Sequence, residues 1–145
     1  MNKGYMAQDI VAQCARLDAA NIAYAFFYLA GISGKGCGIE GARLTAVVCN
    51  LTHPSLIGAN MLTIYENSEL YQEIMAGNWE EETEIEKYQE IKALVEDLEI
   101  PVEYAMLGAS NPVMMQGRLP EQRTQIIAAL DRVIEEIGED RLRHY

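Results

Sequence analysis

Residues 22–40 read I-A-Y-A-F-F-Y-L-A-G-I-S-G-K-G-C-G-I-E, an uncharged apolar run delivered into a glycine-rich loop. Ile22 to Ala30 carries Tyr24, Phe26, Phe27 and Tyr28 and no ionisable acid or base, the composition of a strand buried on both faces in a helix-covered parallel sheet. Beyond the glycines, Leu44, Val47, Val48 and Leu51 recur at helical spacing, which predicts a helix over residues 41–52. The loop then lies between the carboxyl end of a strand and the amino end of a helix. Unpaired amides and the positive end of the helix dipole point into that crevice, where α/β proteins bind ligands.

The rest of the chain repeats this unit. Ile10, Val11, Cys14 and Leu17 place an amphipathic helix over residues 7–20, ahead of the strand. His53-Pro54 ends the second helix, because proline restricts its predecessor and lacks an amide hydrogen. Residues 56–65, L-I-G-A-N-M-L-T-I-Y, predict a second strand, and Ser68 caps a short helix over 69–76 that Gly77 closes. Ile85, Tyr88, Ile91, Val95 and Leu98 form one stripe of a long helix over 82–98, and Pro101 opens a third strand over 102–107. Leu119-Pro120-Glu121 starts the last helix, whose buried face is Ile126, Ile127, Leu130, Val133, Ile134 and Ile137 before Gly138. Residues 138–145 read as a charged, frayed tail.

One α/β domain over residues 1–145 follows, with three parallel strands joined by right-handed helical crossovers. Its 145 residues suffice to bury about 68–70 % of the unfolded surface. Three parallel strands leave apolar segments with unpaired backbone at the sheet edges, which folded proteins cover. The expected cover is a second copy of the chain or a piece of protein outside it.

Composition narrows the function. A net charge of −11 opposes phosphate backbones and argues against nucleic acid as a partner. No apolar run approaches the roughly 20 residues of a membrane span, and the first residues lack a signal peptide's apolar region, so the expectation is a cytoplasmic chain without membrane association. Cys14, Cys37 and Cys49 are odd in number and lack C-x-x-C spacing, which indicates neither a disulfide framework nor a zinc ribbon. The acidic run over residues 80–86 reads as a solvated helix start. G-I-S-G-K-G-C lacks the lysine that a triphosphate-binding loop carries after its last glycine, since Cys37 follows Gly36. No residue pattern predicts a catalytic group or a metal site.

The ordered motifs resemble the carboxyl-terminal half of a radical S-adenosylmethionine (radical SAM) domain. M-N-K-G-Y at residues 1–5 resembles the segment after the fourth strand of that family's partial (β/α)6 barrel. G-I-S-G, Gly31 to Gly34, resembles its G-x-P-G turn after the fifth strand. M-L-T-I-Y-E-N-S-E-L, Met61 to Leu70, resembles the sixth strand and following turn of the subgroup with oxygen-independent coproporphyrinogen oxidases and tRNA methylthiotransferases. The resemblance implies a partial α/β barrel, with Gly31, Ile32, Ser33 and Gly34 near the adenosyl group of S-adenosylmethionine. It also implies backbone contacts from Met61, Leu62 and Thr63 to adenine, and a substrate-side loop at Ser110 and Asn111. The family's cluster-binding C-x-x-x-C-x-x-C loop is absent, Ser33 stands where proline is usual, and no acid follows Gly34. The chain is therefore expected to retain the adenine side of the site and to lack the iron–sulfur cluster of the full-length parent family, without radical chemistry of its own. Its partners would be the missing amino-terminal half-barrel or another copy, the latter making it an oligomerising module. A flavodoxin-like or Rossmann-like nucleotide enzyme is a third, weaker reading.

Overall fold

The computed structural model describes residues 4–138 and 142. The elements are α1 (Ala7–Ala19), β1 (Ala25–Ala30), α2 (Gly38–Cys49), β2 (Leu56–Met61), α3 (Glu69–Met75), α4 (Glu84–Asp97), β3 (Val102–Met106), β4 (Met115–Leu119) and α5 (Arg123–Ile137). They form a mixed α/β structure around one sheet of order β1-β2-β3-β4. β1, β2 and β3 run parallel, and β4 pairs antiparallel with β3 from Val102 opposite Leu119 to Met106 opposite Met115. Most of the amino-terminal motif and of the charged tail lies outside the described residues.

The sheet has four strands, not three. M-Q-G-R-L at Met115–Leu119 is short, polar and glycine-bearing, and the expected helix start at Leu119-Pro120 obscures it. Its signal is alternation: Met115, Gly117 and Leu119 turn inward while Gln116 and Arg118 are exposed, a period of two. α5 consequently begins at Arg123, and Leu119 belongs to the sheet core.

One face of the sheet carries the helices. Phe26, Ile57, Tyr104 and Gly117 stand side by side in register, and this row faces α2, α4 and α5. α4 lies between the other two and buries Tyr88, Ile91, Leu94 and Val95 completely. Thr83 caps it: its Oγ1 accepts from the Glu86 amide while Glu86 accepts from the Thr83 amide, a reciprocal box written in the sequence as T-E-I-E. On the opposite face Phe27, Glu103, Gln116 and Arg118 are exposed.

β1 is thus buried on one side, not both, and Phe27 is 74 % exposed. It is also an edge: among the described residues no strand pairs with its outer flank. The strand starts at Ala25 rather than Ile22 because Asn21 takes a left-handed turn (φ 53°) and Tyr24 binds across the chain instead. The Tyr24 hydroxyl accepts from the His53 amide, and its carbonyl accepts from Ser55. α1 buries only Cys14, and a groove of about 650 Å³ separates it from β1 and α2. No helix among the described residues is long and apolar enough to cross a membrane.

Candidate functional site

Parallel strands entering a sheet in the same direction end on the same rim, so β1, β2 and β3 deliver three loops to one place. Hydrogen bonds tie the rim together. The Leu62 amide donates to the Ala30 carbonyl at 2.9 Å, joining the ends of β1 and β2. Asn111 reaches back from the loop after β3: its Oδ1 accepts from the Met61 amide at 3.1 Å, and its Nδ2 donates to the Ala59 carbonyl at 2.9 Å. Asn111 is 5 % exposed and held on both ends of its amide. That holds the loop carrying half-buried Ser110 onto the end of β2, which stops at Met61, four residues short of the expected strand.

These contacts assign the rim's backbone groups. The amides of Met61 and Leu62 are engaged within the fold, and Thr63 beside them is half-buried. In the glycine loop the Gly34 amide donates to the Gly31 carbonyl and the Cys37 amide to the Gly34 carbonyl, two successive tight turns. Gly31 and Gly34 have φ of 92° and 83°, values that β-carbon-bearing residues rarely take. A side chain at Gly31 would strike the Lys87 stem at 2.8 Å, and one at Gly34 the Trp79 indole at 2.7 Å. Their smallness is thus used by the chain's own packing. Ile32 is half-buried, and exposed Ser33 sets its Oγ against Gly41.

Beneath the loop lies a polar cluster that includes Glu82, a member of the run expected in solvent. Glu82 and Glu90 are 1 % and 0 % exposed, and a side chain at Gly38 would overlap the carboxyls of both. α2 therefore starts at Gly38, three residues earlier than expected, because glycine alone fits. Glu90 Oε1 accepts from the Tyr28 hydroxyl, and its Oε2 accepts from the Gly31 amide at 2.7 Å. Burial, the hydrogen bond to Glu90 and that residue's charge push the Glu82 carboxyl up to about 8. Burial and the same carboxylate raise the Tyr28 phenol. Buried Lys87 pairs with Glu81 at 2.6 Å, so its charge is already answered. Glu80, the exposed member of the run, pairs with Lys35. The spacing hid this cluster because six polar residues interrupted by one isoleucine, E-E-E-T-E-I-E, mimic a solvated helix start.

The cysteines do not fit a shared iron–sulfur cluster. Cys14 and Cys49 are buried and both line the groove between α1 and α2, whereas exposed Cys37 precedes α2. Twelve helical residues separate Cys37 from the far end of α2, a span of roughly 18 Å at 1.5 Å per residue. Burial lifts the Cys49 thiol up to about 11, which suits an inert packing group. No family model, no curated protein and no solved structure matches this chain.

Proposed function

We propose that the chain is the later part of a barrel derived from a radical S-adenosylmethionine enzyme, keeping the adenine-side rim without the redox cluster. The observation that carries this reading is convergence: Gly31 to Gly34, Met61 to Thr63, and Ser110 with Asn111, three segments named by the resemblance, meet on one rim. The half-buried Thr63 and Ile32 offer a flat heterocycle a hydroxyl and an apolar edge. S-adenosylmethionine, when bound, would bring its sulfonium and adenosyl group to that rim. This chain's residues contribute orientation there, and no cleavage step is assigned to them. Equilibrium dialysis with labelled S-adenosylmethionine should show weak binding that adenosine displaces and methionine does not. Binding indifferent to adenosine overturns the reading, as does anaerobic iron–sulfide reconstitution yielding a cluster that cleaves S-adenosylmethionine.

A second reading rests on the free flank of β1 and the apolar groove beside it: an assembly module that pairs this edge with another copy. Phe26, Phe27, Val48 and Leu17 line the groove, as apolar as a buried interface. Sedimentation at micromolar concentration should give a dimer, and a stable monomer dismisses this alternative.

A further inference from the structure

Glu82 and Glu90 arrive from different parts of the chain, the segment ahead of α4 and α4 itself, and their carboxyls crowd one space over Gly38. Both oxygens of Glu90 accept from donors, Tyr28 on β1 and the Gly31 amide of the loop, an arrangement that suits a carboxylate. Glu82 differs. Its Oε2 is buried with no hydrogen-bond partner. An ionised carboxylate there would face a second one without a donor for its free oxygen, whereas a protonated one supplies its own donor to Glu90.

We propose that Glu82 and Glu90 form a one-proton carboxyl pair that latches the glycine loop and the start of α2 onto α4, and that losing the proton to solvent frees the loop. With the proton in place, Glu90 holds Tyr28, Gly31 and Glu82 at once. Without it, two like charges share an enclosed space. The other groups facing the pair do not relieve this: Glu86 on α4 adds negative charge, Lys87 is paired with Glu81, and Tyr104 on β3 faces Tyr28 as a neutral phenol with no hydrogen-bond partner. Only the Gly38 amide favours the charged form of Glu82. The latch stands whether or not the rim binds a nucleoside.

Two measurements test it. In wild-type protein with carboxyl-carbon-labelled glutamate, one buried carboxyl should titrate by nuclear magnetic resonance near pH 8, far above the others. If every glutamate titrates in the ordinary acid range, the pair holds no proton and the proposal fails. Hydrogen-exchange protection of the Gly31 and Cys37 amides should be highest below about pH 4.5, fall by up to about tenfold per pH unit as pH rises toward about 8, and level off beyond. Glu82→Gln, which keeps a donor to Glu90 but cannot ionise, should make that protection independent of pH. An unchanged pH profile in this variant refutes the latch.

Discussion

The two sides of the sheet are fastened by different chemistry. On the β3–β4 side an antiparallel strand closes the ladder, and α5 covers it with Ile126 and Leu130 over Leu119 and Gly117, hydrocarbon against hydrocarbon. On the β1 side no strand among the described residues pairs with the outer flank, α1 stands off across a groove, and the strand's end is held by Glu90 through Tyr28 and Gly31. Apolar packing is indifferent to pH and needs no partner. A carboxylate fastening depends on a proton, and an open apolar edge depends on what covers it. The closed side is therefore the scaffold, and the open side carries the proposed binding and switching.

Substitutions can break this contrast. Leu119→Ala on the closed side should cost about 2–5 kcal/mol in urea unfolding, because the residue is fully buried and the sheet cannot collapse around the void. A loss below that range would mean that β4 is ornamental. Next in size is the pH effect on the open side. The folded protein holds the Glu82 proton to about 8 while the unfolded chain releases it near 4.5, so the folded state binds more protons between those values. Stability is full below about pH 4.5, declines as pH rises to about 8, and is level beyond. Urea midpoints across that window should show the decline in wild type and a flatter profile in Glu82→Gln.

Asn111→Ala should cost about 1–3 kcal/mol, since it strands the Met61 amide and the Ala59 carbonyl in a buried rim. Thermal unfolding measures the loss, and faster exchange at Met61 locates it. Thr83→Ala removes the cap of α4 and should cost roughly 0.5–2 kcal/mol in the same assay. Smallest is Phe27→Ala at the open edge, which should change monomer stability by no more than about 0.5 kcal/mol because the ring is mostly in water. If the second reading holds, that substitution instead weakens dimers in sedimentation. A large stability loss at Phe27 with a small one at Leu119 would invert the contrast altogether.

Helix and strand positions were readable to within a few residues wherever apolar periodicity was strong, as for α1, α4 and the three parallel strands. The errors cluster where a partner outside the local sequence intervenes. β4 was missed because its alternation is short and half polar. The Glu80-to-Glu86 run was read as solvated because nothing local shows that Glu82 meets Glu90 and Gly38. Nor does the local sequence show that Met61 and Leu62 use their amides on Asn111 and Ala30, because those acceptors lie about 50 and about 30 residues away in the chain.

By itself the sequence determined the alternation of elements, the parallel course of three strands and the glycine loop between β1 and α2, since hydrophobic period and turn chemistry are properties of neighbouring residues. Only the tertiary structure decided which edge is closed, which flank is left open, and that two glutamates share one enclosed space. Those outcomes depend on residues distant in the chain meeting where water is excluded, and there the cost of an unpaired amide or a second charge selects the arrangement.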